Sequence, residues 1–288
     1  MTAPQVTGPQ GWLLQVEHIT RFDYSLPAHA SYNETRLTPL NTTTQTTLES
    51  RVRTQPPTSQ QRYTDYWANQ VVAFDIPDAH HRLRVTGSST VETHPDGLRP
   101  QADWAGVRDA RAQDQFAELL TPTPLTETPP ELTADGDGLR AAPDPVAAVL
   151  GAVEIVRGGL RYERGSTDTM TTAAGAWAAG YGVCQDFVHL TLALLRYAGV
   201  PSRYVSGYVH PRAEAVTGET VDGESHAWVE AWTGGWWGID PTNDIPADRR
   251  HIIVARGRDY SDVPPIKGVY AGPAEQEMTV TVRITRVR

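Results

Sequence analysis

From Trp12 to Ser25 the chain reads WLLQVEHITRFDYS, with Leu14, Val16, His18 and Thr20 on every second position. A period of two places them on one face of a strand, whereas a helix needs apolar residues to recur at three and four. The same texture runs on through SYNETRLTPLN, TTLESRVRTQ, RYTDYWANQVVAFDI and HRLRVTGSSTVET, with turn residues between the runs. The piece YWANQVVAF suggests a hairpin turning near Ala68 and Asn69. Short strands at regular spacing, separated by turn signals, predict an antiparallel β-sandwich over 12–95. Residues 1–11 are expected to be disordered.

The pattern then breaks. Pro, Thr, Asp and Gly dominate TPTPLTETPPELTADGDGLRAAPDP, so 96–142 reads as a linker with a short helix at DQFAELL. Beyond it, Val146, Val149, Leu150, Val153 and Val156 have helical spacing, with Asp144 as N-cap and Pro145 at the first helical position. CQDFVHLTLALLRYAGV predicts a second helix, with Phe187, Leu190, Leu194 and Tyr197 on one face and Gly199 as its stop. SRYVSGYVHP, SHAWVEAWT, WWGIDPTN and EMTVTVRITRV follow as strands. Helices followed by an antiparallel sheet make 143–288 an α+β unit.

Several function classes fall away on composition. The net charge of -9 leaves no basic face for nucleic acid. One cysteine in 288 residues excludes an intramolecular disulfide framework and a cysteine-based zinc site. No D-x-D-x-D-G calcium loop occurs, and neither metal nor cofactor is expected. The first residues lack a basic stretch followed by an apolar one, and no apolar run approaches the roughly 20 residues of a membrane span. A cytoplasmic protein without a membrane partner is expected.

The single cysteine lies in GYGVCQDFVHL. A helix beginning at or just after Cys184 puts the sulfur near the positive end of the helix dipole, which favours thiolate. The free N–H groups of that first turn could hold a developing oxyanion. On these residues alone, Cys184 is either a nucleophile or a small buried hydrophobe. His189 follows on the same helix but points elsewhere, as a packing or solvent residue. Asp186 is expected to point away from the sulfur.

A base is available in HAWVEAW. There Ala227, Val229 and Ala231 share one strand face, and His226, Trp228, Glu230 and Trp232 the other. Asp240, in GIDPTN, is either a group that orients His226 or an ordinary Asp-Pro turn former. The connection between these strands decides. A two-residue loop Gly234-Gly235 pairs Val229 with Asp240 and turns the carboxylate away from His226. A three-residue loop Thr233-Gly234-Gly235 pairs Trp228 with Asp240 and makes His226 and Asp240 diagonal neighbours on one face.

Taken together, YGVCQDFVHLTLALLRYAGVPSRYVSGYVHP and ESHAWVEAWTGGWWGIDPTN resemble the core of the bacterial transglutaminase-like proteins. The family's catalytic cysteine, histidine and aspartate match Cys184, His226 and Asp240, in the family's order. VEHITRFDYSLPAHASYNETRLTPL and DYWANQVVAFDI are similar to the β-rich N-terminal region of one bacterial branch, and ARGRDYSDVPPIKGVYAG to its tail. The resemblance implies a papain-like core over 143–288, with the nucleophile on a helix packed against an antiparallel sheet. It also implies a cysteine peptidase or amidase acting on a peptide or protein substrate through an acyl-thioester. Transamidation to an amine acceptor is the second reading, and a non-catalytic binding or assembly module the third. Tyr162, Trp177, Gln185 and Trp228 are the further candidates for oxyanion or substrate contacts.

Overall fold

The computed structural model describes residues 11–94 and 100–288. The first strand, β1 (Trp12–Thr35), is 24 residues long and organises the N-terminal half. Trp12, Leu14, Val16, His18, Thr20, Phe22 and Tyr24 all point inward, as the period of two requires. The next strands are β2 (Gln45–Gln55), β3 (Gln60–Thr64), β4 (Gln70–Ile76) and β5 (His80–Thr93). β3 and β4 form the expected hairpin, which turns through Ala68 at a φ of 64°. The first half of β1 pairs with β5 and its second half with β4, the register shifting between Asp23 and Ala28. Phe22, Val52, Phe74, Leu83 and Val85 therefore meet in one apolar core although they come from both halves of the sheet. The expected start at 1–11 lies outside the described residues, Gly11 excepted.

The connecting region holds more helix than its composition suggested. It contains α1 (Trp104–Val107), α2 (Ala110–Gln115), α3 (Ala117–Leu120) and α4 (Thr133–Arg140). Each is short, and Leu119 and Leu139 are buried, so tertiary packing rather than propensity holds them. Next come α5 (Pro145–Gly159), β6 (Arg161–Tyr162), α6 (Ala173–Ala179), β7 (Tyr181–Gly182) and α7 (Cys184–Ala198). The Asp144 carboxylate accepts from the Ala147 N–H at 2.8 Å, the expected cap of α5. α7 was expected to bury one face. Instead nearly every residue from Gln185 to Ala198 is buried, with Tyr197 half-exposed, because α4 and α5 cover the side that the sheet does not.

Seven strands come next: β8 (Ser202–Val209), β9 (Thr220–Gly223), β10 (Ser225–Trp232), β11 (Trp236–Asp240), β12 (Ile245–Pro246), β13 (His251–Gly257) and β14 (Ile266–Ala271). The last strand, β15 (Gln276–Arg286), follows them. The core sheet has the order β12-β11-β10-β8-β13, and Ala227, Val229 and Ala231 of β10 face α7.

The final strand was assigned to the 143–288 unit, but β15 pairs with β1 along Leu14 to Tyr24, and β9 and β14 join the same N-terminal sheet. The reason is twofold. The long edge of β1 needs hydrogen-bond partners, and Val282 and Ile284 bury with Trp12, Leu14, Tyr208 and Ile252 between the two sheets. Two side-chain amides extend this junction to β13, at the rim of the core sheet. Gln45 both donates to the Ile253 carbonyl and accepts from its N–H, each at 2.8 Å. Asn69 does the same for Arg256, at 2.9 and 2.7 Å. Each amide satisfies an exposed strand edge as a neighbouring strand would. Among the described residues no helix is long and apolar enough to cross a membrane.

Candidate active site

Cys184 is the first residue of α7, with Val183 as N-cap, and its side chain is half-buried. The two glycines ahead of it have separable causes. Gly180 closes α6 with a φ of 73°. At Gly182 a Cβ would lie 2.6 Å from that of Asp186, whose carboxylate folds back to accept from the Val183 N–H at 2.7 Å and the Thr167 hydroxyl at 2.6 Å. Asp186 is thus occupied in tying the turn before Cys184 to the loop after β6. At the first helical position the Cys184 N–H has no intrahelical acceptor and is free for a ligand.

The hairpin of β10 and β11 has the odd loop. Trp232 pairs with Trp236 and Val229 with Ile239, leaving Thr233-Gly234-Gly235 as the connection. Gly234 has a φ of 94°, and a Cβ there would come within 2.7 Å of the Ala102 side chain. The Ala102 N–H donates to the Thr233 carbonyl at 2.9 Å, so the connecting region clasps the loop that sets the register. In this register Asp240 lies diagonal to His226, and His226 Nε2 donates to Asp240 Oδ2 at 2.7 Å. β10 is unpaired with β11 before Val229, and at that open end His226 lines the same cleft as Cys184, whose charge helps to raise the imidazole. With Nε2 committed to Asp240, Nδ1 is the nitrogen left for the sulfur.

Asp240 is fully buried and holds five donors. Oδ1 accepts from the N–H groups of Thr242 (3.0 Å) and Asn243 (3.1 Å). Oδ2 accepts from His226, from Asn243 Nδ2 at 2.7 Å and from His251 Nε2 at 3.4 Å. Burial alone would raise this carboxyl, but the donors outweigh it and hold Asp240 well below the usual carboxylate range. For His226, burial works against protonation. The bond to Asp240, with the charges of Asp240 and Cys184, overcomes it and pushes the imidazole up to about 10. His251 Nδ1 accepts from the Asp248 N–H at 3.0 Å, which leaves its Nε2 proton for Asp240.

The cleft over this group is about 710 Å³ and is lined by Tyr162, Cys184, His226 and Asn243, among others. Of the four further candidates, only Tyr162 lines it. Burial, and secondarily the charge of Cys184, raise the Tyr162 phenol, so it keeps its proton and can donate. Trp177 packs on the core and on Gly159, at the end of α5, not on the cleft. Gln185 turns inward and donates to the Asp168 carbonyl at 3.2 Å. Trp228 is fully buried, edge-on to His251 with ring centroids 5.1 Å apart, because its strand face closes against Leu40 and Ile253. His189 is a packing residue, held down to about 4 by burial. Among the described residues, no group of three or more His, Cys, Asp or Glu side chains is arranged to hold a metal ion.

Sequence reasoning missed Asn243 and His251. Asn243 had a weak signal, three residues after Asp240 in a turn. His251 had none.

Residues 14–92 match the model of the bacterial transglutaminase-like N-terminal region, and residues 136–241 that of the transglutaminase-like superfamily. This chain belongs to the transglutaminase-like superfamily. An uncharacterized protein of Mycobacterium leprae is 45% identical over 279 residues, covering 96% of this chain and 99% of its own. One from Mycobacterium tuberculosis H37Rv is 33% identical over 299 residues, covering 94% and 91%. A protein-glutamine gamma-glutamyltransferase of Pseudomonas aeruginosa is 34% identical over 74 residues, 24% of this chain and 11% of that enzyme. In fold, the chain is similar to a candidate cysteine protease from Cytophaga hutchinsonii. The TM-score is 0.76 at 20% identity, over 95% of this chain and 90% of that one. The transglutaminase-like core thus includes α7, β10 and β11, the three elements that carry Cys184, His226 and Asp240.

Proposed function

We propose that this transglutaminase-like protein is a thiol enzyme that breaks peptide or side-chain amide bonds through an acyl-thioester on Cys184. The observation that carries the reading is that Cys184 and His226 line one cleft while His226 is hydrogen-bonded to the buried Asp240. The Cys184 sulfur, with its proton already held on the His226 imidazolium, attacks the amide carbon. The oxyanion is held by the Cys184 N–H and the Tyr162 hydroxyl. As the C–N bond breaks, His226 returns the proton to the departing amine. Water then attacks the thioester with His226 again as base, releasing the acid and restoring the thiol. Asp240 keeps the imidazole proton on Nε2 and stabilises the imidazolium.

Transfer of the acyl group to an amine in place of water is the second reading. It is favoured by the 74-residue likeness to the Pseudomonas gamma-glutamyltransferase. Mass spectrometry of a glutamine peptide, with and without added amine, separates the outcomes. Glutamate or cleaved peptide supports hydrolysis, and an amine adduct supports transfer. Inertness across a panel of peptide amides, with Cys184 equally unreactive to iodoacetamide at pH 6 to 7, sinks both and favours a binding module.

A further inference from the structure

We propose that Arg250 forms a carboxylate-binding subsite in the cleft, so that the amide substrate of Cys184 carries an anionic group. The inference deepens the reading of Cys184 as an amide-directed nucleophile and rests on it.

Arg250 precedes β13 and lines the same cleft as Cys184 and His226. Its side chain is only 14% exposed, so the guanidinium is held by the protein rather than waving in solvent. Nε donates to both oxygens of Asp248, at 3.0 and 2.9 Å, which sets the plane of the fork. Among the described residues, Nη1 and Nη2 find no protein acceptor. A fixed planar fork with two donors to spare matches the two oxygens of a carboxylate.

Two other residues of the cleft carry buried polar atoms without a partner among the described residues. His210, whose N–H donates to the Arg250 carbonyl at 2.9 Å, is 1% exposed and lines the cleft. Its Nδ1 lies 3.2 Å from both the N–H and the carbonyl of Arg212, and among the described residues its Nε2 has no partner. The hydroxyl of Thr242, also on the cleft, is buried and unpartnered. Buried polar groups without partners are uncommon in folded proteins. Both line the cleft that the half-used guanidinium of Arg250 also lines, so this cleft holds polar atoms that a bound group would satisfy.

The remaining charges of the cleft agree with this placement. Arg164 and Glu224 neutralise each other at 2.8 Å. Asp222, on β9, would repel an anion there, which leaves the wall of Arg250, His210 and Thr242 as its place.

Two sources of carboxylate fit: an acidic side chain near the scissile amide, or the end of a short peptide chain. The test compares turnover of matched peptide amides that differ by Glu against Gln, and by a free against an amidated C-terminus. The wild-type protein is expected to prefer one anionic member by about tenfold or more, as for a charged hydrogen-bonded pair. Which pair shows the preference identifies the source. In R250Q the preference ratio collapses to about one, and R250K restores part of it as a point charge without the fork. Binding of the same peptides to C184A, by fluorescence anisotropy, supplies a readout that needs no turnover. Peptides cleaved without charge preference, or a preference that survives in a folded R250Q, overturn the subsite and leave the proposed function standing. Anionic peptides that bind C184A and not the C184A/R250Q protein, yet are never turned over by the wild type, uphold the subsite and overturn the function.

Discussion

The thiol and the imidazole reach one cleft by different routes. Cys184 stands at the head of α7, a helix buried on almost all sides, and the turn before it is tied by Asp186 and Thr167. His226 stands at the unpaired end of β10, and its partner Asp240 is set by the count of residues in a loop between two strands. One side is positioned by local helix chemistry and the mass of the core. The other depends on register, which one residue can shift, and on a polar cluster of Asn243, His251 and Asp248. Robust placement of the thiol coexists with a fragile placement of the imidazole. The two sides should therefore fail differently.

The largest expected effect comes from the register. Inserting one glycine between Gly234 and Gly235, with the favoured three-residue loop kept, would shift the β10–β11 pairing by one residue, turn Asp240 to the opposite face and reduce turnover to that of C184A. A melting curve close to wild type would show that the core around α7 survives. Undiminished turnover would break the contrast between the two sides. Next in size, His226→Ala leaves α7 untouched but removes the thiol's proton acceptor. An ordinary thiol is about 1% thiolate at pH 6.5, so carboxymethylation of Cys184 there should slow by about tenfold or more. An unchanged rate would mean that the helix alone activates the sulfur.

A smaller effect is expected where the N-terminal sheet braces the core. Gln45→Ala leaves the Ile253 N–H without an acceptor, while its carbonyl keeps the Leu40 N–H, and should cost about 1–3 kcal/mol in urea denaturation. The alkylation rate at Cys184 should stay close to wild type. A large loss of reactivity would show that the brace on β13 reaches the site. The last contrast is in the pH dependence of stability. Because the folded protein raises His226 to about 10, the stabilisation from its protonated form is complete below about pH 6.5. It is then lost as pH rises through about 10. Between pH 7 and 10 the wild type should therefore lose more of its urea midpoint than His226→Gln, and parallel losses would contradict the His226–Asp240 coupling.

Much of the site was legible because its signals are local. The glycines before Cys184, the helix stop at Gly199 and the alternation of HAWVEAW each depend on residues within a turn or a strand. The Thr233-Gly234-Gly235 loop reduced the pairing of His226 with Asp240 to two alternatives. His251 was invisible because it reaches Asp240 across separate segments, and no periodicity links them. Trp228 shares a strand face with His226, which made it a candidate, but the closing of Leu40 and Ile253 over that face buried it.

By itself, the sequence determined the strand-rich first half, the helix that begins at Cys184 and the order of the three chemical residues, since backbone sterics and side-chain period act over a few residues. Tertiary structure alone decided that β15 closes the N-terminal sheet, that Gln45 and Asn69 seal β13, and which loop was used. It also decided that Asn243 and His251 surround Asp240. Those choices turn on which buried polar groups find partners once distant segments meet, and a partner supplied from two hundred residues away leaves no local trace.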